Sequence, residues 1–222
     1  RTSRRLLPSK RCAVCIQGVR SSKLKLADQI FVLDDVVPDY IYNATIQEIP
    51  NIPMYFGHRG QGYDTGFHFW SSQWNDGSEP WCFKSIWSAF ESQKDRLGPV
   101  GKIELLRCQL NVTTKSCYGG AHVDVAQGVP YYTMVHFLTG DTGMEFYNGI
   151  GGEKIKEVAF KANRCVVFPS DLPHQGLPPV ESEPRVSVGY VFGGKGTEFT
   201  RQNNIGIPIW QQEQEEIFGG NF

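Results

Sequence analysis

The chain has 222 residues, of which 40% are hydrophobic and 20% charged, and its formal net charge is -1 at pH 7. This length suits one large domain or two small ones. The near-neutral charge provides no overall field that would attract nucleic acid or an anionic membrane, and no stretch approaches the roughly 18 consecutive apolar residues that a membrane span needs. We therefore expect an ordinary soluble domain whose partners are neither nucleic acid nor lipid.

The two ends of the chain differ in charge from its middle. Many Arg and Lys residues but no acidic residue precede Asp28, whereas the tail QQEQEEIFGGNF is polar and acidic. The apolar patches near the start are short and interrupted, unlike the apolar stretch of a secretory signal peptide. We predict a basic segment over residues 1–28, flexible or peripheral, and a single domain over residues 29–222 that ends in the acidic tail. A cytoplasmic location is favoured.

The six cysteines are spread along a chain that is too long to need disulfide bonds for stability. They are Cys12, Cys15, Cys82, Cys108, Cys117 and Cys165. We expect reduced thiols. The pair Cys12-x-x-Cys15 has the spacing of half a zinc-ribbon site whose second half is absent, so a metal or redox role for it is the lesser alternative.

The first part of the domain is predicted to contain one strand and two helices. In QIFVLDDVVPDYIYNATIQEI, a short apolar strand precedes a Pro-Asp start signal, which predicts a helix over about residues 39–49. In SEPWCFKSIWSAFESQKDRLG, Ser78 can cap a second helix, Pro80 suits its first turn and Gly98-Pro99 stops it.

Between these helices, residues 51–82 are dense in Gly, aromatic and turn-forming residues and show little periodicity. We predict a long loop, which in compact domains commonly serves as a lid or binding surface. Its aromatic residues are therefore candidates for substrate contact. The alternative is that Trp70, Trp74 and Trp81 close the rim of the core.

From residue 101 onward the apolar pattern changes to a period of two. KIELLRCQLNV places Leu106, Cys108, Leu110 and Val112 on one face, and further runs rich in Val and aromatic residues follow: YYTMVHFL, GMEFY, IKEVAF, RCVVFP and RVSVGYVF. Short runs without intervening helices indicate an antiparallel sandwich or a jelly-roll barrel. We therefore predict a mainly β, jelly-roll or cupin-like barrel over about residues 101–192, flanked by N-terminal helices.

A metal site is predicted from the stretch YGGAHVDVAQG. In an extended segment residues i and i+2 point to the same side, so His122 and Asp124 can share one ion. His174, in FPSDLPHQGLPP, follows the run RCVVF and would reach the same rim. Two His and one carboxylate leave one face of an octahedral ion open, as in non-heme Fe(II) oxygenases, although zinc hydrolysis uses similar ligands.

A motif further along the chain bears on the choice between an iron oxygenase and a zinc hydrolase. In EPRVSVGYVF, Arg185 and Ser187 share a face of a strand that is otherwise apolar or aromatic. An arginine that points into an apolar barrel is costly unless it meets an anion, and its planar guanidinium suits a carboxylate. A dicarboxylate co-substrate would satisfy it. A structural ion pair with Glu181 or Glu183, or an outward-facing side chain, remains the alternative.

Taken in this order, the motifs resemble those of the Fe(II)- and 2-oxoglutarate-dependent oxygenases, in particular the compact group similar to prolyl 4-hydroxylases. The resemblance rests on His122-Val-Asp124, His174 and Arg185-Val-Ser187, and it covers about residues 103–192. It implies a double-stranded β-helix, iron(II) held by the three ligands, and 2-oxoglutarate that chelates the iron while its far carboxylate meets Arg185 and Ser187. It further implies dioxygen as a co-substrate, with ascorbate as a candidate reductant. The reaction would convert 2-oxoglutarate to succinate and carbon dioxide while a second substrate is hydroxylated.

The sequence departs from the prolyl hydroxylase pattern at one point. Where some relatives have a tyrosine that binds the co-substrate, the run TMVHFL offers Phe137, which has no hydroxyl group. Tyr118 and Tyr131 are the candidates to replace it, and each is equally well explained as an amphipathic residue at the rim. The other histidines, His58, His68 and His136, are expected at the surface or supporting the site rather than as ligands.

The leading hypothesis is thus an Fe(II)/2-oxoglutarate dioxygenase that hydroxylates a peptidyl residue, prolyl or other, or an amino acid or similar small metabolite. The first alternative is a barrel of the same fold that binds a ligand without turnover, which the intact ligand set disfavours. The second is a zinc-dependent hydrolase. No general-base glutamate lies beside the ligands in sequence, and Arg185 would have no purpose there.

Overall fold

The computed structural model describes residues 26–58, 68–97, 102–181 and 184–193. The predictions for the basic N-terminal segment before residue 26, for the Cys12–Cys15 pair and for the acidic tail lie outside these residues. Within them, no helix is long and apolar enough to cross a membrane.

Two helices lie in the N-terminal half, α1 (Asp39–Glu48) and α2 (Trp81–Glu91). Each begins directly after a proline, Pro38 or Pro80, which occupies the N-cap position. The predicted first helix is confirmed. The prediction that Ser78 caps the second helix is wrong, because its backbone N–H and its hydroxyl both donate to Asp76 Oδ1.

The described residues also contain ten strands. They are β1 (Phe31–Asp34), β2 (Tyr55–His58), β3 (Phe69–Trp74), β4 (Glu104–Thr113), β5 (Tyr132–Thr139), β6 (Met144–Tyr147), β7 (Lys154–Val158), β8 (Arg164–Pro169), β9 (His174–Gly176) and β10 (Arg185–Gly193). Short 3-10 turns lie at Leu26–Gln29, Ile49–Asn51 and Lys94–Leu97.

The strands form two antiparallel sheets, a large one in the order β1-β8-β5-β10-β4-β3-β2 and a small one in the order β7-β6-β9. Strands far apart in sequence are neighbours in both sheets, which is the hallmark of a jelly roll as opposed to a simple meander. The predicted mainly β barrel is confirmed. The prediction that residues 51–82 form an irregular loop is wrong in part, because β2 and β3 extend the large sheet within that segment.

The large sheet is covered on both faces. On its outer face, Phe83, Ile86 and Phe90 of α2 are fully buried against Tyr190 and other strand residues, and each buried side chain of this size contributes about 1.5–3 kcal/mol. On its inner face a second apolar cluster joins it to the small sheet. That cluster includes Phe137, Phe146, Phe168 and Leu172.

Strand β10 shows how this arrangement places polar groups inside the barrel. Val186, Val188 and Tyr190 belong to the outer cluster. The alternate residues Arg185 and Ser187 therefore face the space between the sheets, although they are only 4% and 2% exposed. The fold thus buries a polar face of β10 next to the small sheet.

Candidate metal centre

The loop between β4 and β5 brings two of the predicted metal ligands against β9. His122 and His174 exchange both backbone hydrogen bonds, N–H to O at 2.9 Å in each direction, and Asp124 N–H donates to Ser170 O at 2.9 Å. His122 forms only this isolated β-bridge. The segment is therefore docked as a single bridge and is not a regular strand, yet His122 and Asp124 still point to the same side.

The three side chains converge on one point. One potential ligand atom from each of His122, Asp124 and His174 lies within 4.8 Å of the others. The Nε2 atoms of His122 and His174 are each 3.7 Å from a carboxylate oxygen of Asp124, Oδ1 and Oδ2 respectively. The imidazole rings are packed with centroids 4.5 Å apart.

Backbone carbonyls select the imidazole nitrogen that faces this point. His122 Nδ1 lies 2.9 Å from Gly120 O, and His174 Nδ1 lies 2.9 Å from Leu172 O. A carbonyl oxygen only accepts, so each Nδ1 carries the hydrogen and each Nε2 presents its lone pair to the shared point. This carbonyl support is the usual outer arrangement of a metal-binding histidine.

The pKa shifts of His174 and Asp124 favour the protonation states in which these side chains bind a metal ion. Burial lowers the pKa of His174 to about 4 despite the nearby Asp124 carboxylate, so the imidazole is neutral at pH 7. Burial by itself raises the pKa of Asp124, but the surrounding His174, His122 and Arg107 together with the Thr133 hydroxyl outweigh it, and the net pKa is lowered. A neutral imidazole and a carboxylate are the forms that bind a metal ion.

Two further side chains hold the Asp124 carboxylate. Thr133 Oγ1 donates to Oδ2 at 2.6 Å and lies 2.9 Å from Ser170 Oγ. Arg107 Nη2 lies 3.2 Å from Oδ1. The donor set of two imidazole nitrogens and one carboxylate, with both imidazoles oriented and the carboxylate fixed, fits a transition-metal dication such as iron(II), and it also fits zinc.

Arg185 lies in the same cavity without an acidic partner in the described part of the chain. Its Nε donates to Thr142 O at 3.1 Å, its Nη1 lies 3.4 Å from Ser187 Oγ, and its guanidinium carbon is 5.4 Å from the centroid of the Phe137 ring. Burial lowers its pKa to about 10, which still leaves it charged at pH 7. Of the described residues, Glu181 included, none gives it the structural ion pair considered above, and Glu183 lies outside the described residues.

Space for this guanidinium is provided by Gly176. A Cβ atom there would lie 2.9 Å from Arg185 Nη1 and 3.2 Å from its Cζ. His174 and Gly176 are two residues apart on β9, so one face of this short strand supplies both a predicted ligand and the room beside Arg185.

A cavity of about 170 Å3 connects the two features. Its lining includes all five residues predicted from the two motifs, namely His122, Asp124, His174, Arg185 and Ser187. It does not include Tyr118 or Tyr131. A co-substrate role for those two tyrosines stays a prediction that the cavity geometry does not support.

Sequence reasoning missed the wall contributed by β2, β3 and β4. Arg107, Gln109 and Asn111 line the cavity from alternate positions of β4, and His58 lines it from β2. Gln109 Nε2 lies 3.1 Å from His58 Nε2 and donates to Asn111 Oδ1 at 2.8 Å. The signal was present, since apolar residues at 108, 110 and 112 on one face put these three polar residues on the other.

The predictions for the remaining aromatic and histidine residues agree with the structure only in part. His136 is fully buried on the opposite, outer face of the large sheet, 3.0 Å from Asn163 Oδ1, so the expected surface or supporting role is wrong. Trp74 packs on Phe83 at 5.7 Å between ring centroids, as a core residue does. Trp70 and Trp81 are exposed and do not line the cavity.

Comparison with solved structures identifies the fold. The non-heme α-ketoglutarate-dependent epimerase SnoN from nogalamycin biosynthesis is 11% identical and superposes with a TM-score of 0.58 over 81% of this chain and 87% of the epimerase. An oxidoreductase of the 2OG-Fe(II) oxygenase family from Burkholderia pseudomallei is 18% identical, with a TM-score of 0.55 over 78% and 89% of the two chains.

A prolyl hydroxylase from Trichoplax adhaerens, in complex with a hypoxia-inducible-factor peptide fragment, has a TM-score of 0.55 at 14% identity over 78% of this chain and 88% of its own. The chain has the fold of the 2-oxoglutarate oxygenases. The predicted double-stranded β-helix is therefore confirmed. No protein-family model and no curated protein sequence matches the chain.

Proposed function

We propose that this protein is an Fe(II)- and 2-oxoglutarate-dependent dioxygenase that hydroxylates a second substrate. The observation that supports this most is that one cavity contains both a His-Asp-His cluster and the buried guanidinium of Arg185, which pairs with no acidic side chain of the described residues. A buried cation without a counter-ion costs several kcal/mol. A ligand with two carboxylates would offset that cost at one end and reach the metal ligands at the other.

Each residue has a defined task in this proposal. His122, Asp124 and His174 hold the iron, with Nε2 presented by both imidazoles. Arg185 and Ser187 bind the far carboxylate of 2-oxoglutarate through their N–H and O–H groups. Iron(II) bound there, with 2-oxoglutarate and dioxygen, supplies the oxidising chemistry that yields succinate, carbon dioxide and a hydroxylated substrate.

The protein contributes position and exclusion of water. Thr133 donates to Oδ2 of Asp124 and thereby fixes the orientation of the carboxylate. Phe137 lies against the guanidinium of Arg185, where it excludes water from the anion site and strengthens its charge interactions. A zinc hydrolase would leave Arg185 without a ligand, so we favour the oxygenase.

The second substrate is proposed to be a peptide or an amino-acid-like small molecule, because the Trichoplax neighbour was solved with a peptide.

A cytoplasmic location remains part of the proposal. It is supported by the free thiols of Cys82, Cys108, Cys117 and Cys165, which suit a reducing compartment.

The direct test is anaerobic addition of Fe(II) and 2-oxoglutarate to the purified protein. We expect a weak visible charge-transfer absorption from the chelate, and succinate formation once air is admitted. The variant Asp124→Ala should lose both signals, whereas Lys161→Gln should keep both, because Lys161 is exposed and pairs with Asp34 of the edge strand β1. Absence of the absorption in the unaltered protein, with tight binding of zinc in its place, would refute the oxygenase.

A further inference from the structure

The cavity contains a second guanidinium that the proposed co-substrate site does not use. Arg107 lines the cavity from β4 and its side chain is 24% exposed, in contrast to the buried Arg185. Its closest acidic contact among the described residues is Nη2 to Oδ1 of Asp124, at 3.2 Å. A guanidinium has five N–H donors arranged in a plane, so this one contact leaves donors for a ligand in the cavity.

The charges of the cavity lining do not balance without a further anion. Among the described residues, the charged members of the lining are the cations Arg107 and Arg185 and the anion Asp124. Burial lowers the pKa of the lining residue His58, which favours its neutral form, and histidines bound to a metal are neutral as well. A dication and the doubly charged 2-oxoglutarate cancel each other, so one net positive charge remains. A monoanionic substrate would neutralise it.

We propose that Arg107 binds a carboxylate of the second substrate, which is then a small organic acid with a net charge of -1, such as a hydroxy acid or an acidic amino acid. This inference rests on the proposed function and narrows it. Because Arg107 contacts Asp124 directly, an acid bound to Arg107 lies within a few ångströms of the three ligand atoms. The carbon presented to the metal centre is therefore only a few bonds from the carboxylate, which favours a compact free acid over a residue within a peptide chain.

The neighbouring surface agrees with a small polar ligand. Gln73 and Gln109 line the same wall as Arg107 and offer neutral hydrogen-bonding groups, whereas Val135 and Met144 line the cavity on other strands. A ligand with one acid group, further polar groups and a short apolar part matches these walls. A purely apolar substrate would leave the remaining N–H donors of Arg107 without partners in the cavity, at a cost in affinity.

The experiment measures binding without turnover. Cobalt(II) replaces iron, 2-oxoglutarate is saturating, and a panel of free amino acids and hydroxy acids is titrated alongside their primary amides by calorimetry. An acid and its amide differ little in shape but differ in charge. We expect at least one acid to bind about ten-fold or more tightly than its amide, since a charge-assisted hydrogen bond is worth that much.

Variants then assign the preference to Arg107. Arg107→Gln should abolish the preference for acid over amide, and Arg107→Lys should retain part of it. The matched control is Arg164→Gln, because Arg164 also pairs with an aspartate, Asp34, with Nε 2.7 Å from Oδ1, at the end of β8 that is far from the site. This control should keep the full preference.

The outcomes separate this inference from the proposed function. If no acid in the panel is preferred over its amide, or if Arg107→Gln keeps the preference, the substrate assignment is wrong even when the iron and 2-oxoglutarate absorption forms. If Arg107→Gln changes only the affinity for cobalt or for 2-oxoglutarate, Arg107 positions Asp124 or binds the co-substrate, which also overturns it. If the absorption never forms while acids still bind through Arg107, the oxygenase proposal alone fails.

Discussion

Replacing Arg185 with methionine should stabilise the ligand-free protein while it weakens co-substrate binding. Burial lowers the pKa of Arg185 from 12.5 to about 10, and at about 1.4 kcal/mol per pKa unit this corresponds to a cost of about 3 kcal/mol for the buried charge. The variant loses the hydrogen bond to Thr142 O, worth about 1 kcal/mol. The free energy of unfolding should therefore rise by about 2 kcal/mol.

Thermal unfolding with and without 2-oxoglutarate measures both effects. For a chain of this length, about 2 kcal/mol corresponds to a rise in Tm of about 4–8 °C without ligand. With metal and 2-oxoglutarate, the unaltered protein should gain further stability by mass action, and the variant should need about 100-fold more ligand for the same gain. The control Arg164→Met breaks the ion pair with Asp34, so it should lower Tm and leave co-substrate binding unchanged.

The two halves of this prediction can fail separately. If Arg185→Met binds 2-oxoglutarate as the unaltered protein does, Arg185 is not the anion site. If instead the ligand-free variant is less stable than the unaltered protein, the charge is compensated within the fold and its burial is no sign of a missing ligand.

Three further predictions concern the same fold. Gly176→Ala should raise the Kd for 2-oxoglutarate about ten-fold without affecting metal binding, since its Cβ would displace the guanidinium of Arg185. The control Gly149→Ala, whose Cβ meets nothing within 4 Å, should bind 2-oxoglutarate as the unaltered protein does. Equal Kd values for the two variants would contradict the steric argument. His174→Ala should remove the anaerobic iron and 2-oxoglutarate absorption, and a persisting absorption would show that His174 is not a ligand. Burial lowers the pKa of His136 to about 4. Below about pH 6.5 the unfolded chain therefore binds a proton at His136 that the folded protein does not bind. The free energy of unfolding should fall by up to about 3 kcal/mol between about pH 6.5 and 4. Denaturant titrations of His136→Gln should show a shallower dependence over that window, and an unchanged one would refute this assignment.

The strand period of two predicted much of the site, because a buried barrel wall alternates strictly between its faces. The shared face of Arg185 and Ser187 followed from this period alone. The convergence of His122 and Asp124 with the distant His174 did not, since it depends on the docking of a loop onto β9 through one bridge. That convergence was inferred from the resemblance to a family and from the expected rim position of His174.

The segment around β3 shows why part of the barrel was not predicted. Its residues alternate, but the inner face opens onto the polar cavity, so Ser71 and Gln73 stand where an apolar period would need Val or Leu. On the other face, Ser72 is buried and donates to Pro53 O. Polar residues on both faces remove the hydrophobic contrast on which strand prediction depends. Strands that line a polar cavity inside a barrel are therefore difficult to predict from their hydrophobic pattern.

The two ends of the cavity differ in how firmly the fold holds them. Arg185 lies on β10, which pairs with β4 on one side and β5 on the other, so its position is determined by the centre of the large sheet. His122 and Asp124 lie on a loop that is attached by a few backbone hydrogen bonds to His174 and Ser170. The 3.7 Å distances from Asp124 to His122 and His174 therefore depend on how this loop docks, whereas the position of Arg185 is set by strand pairing. In the proposed oxygenase, strand pairing would thus fix where Arg185 receives the far carboxylate of 2-oxoglutarate, and the docked loop would complete the set of three metal ligands.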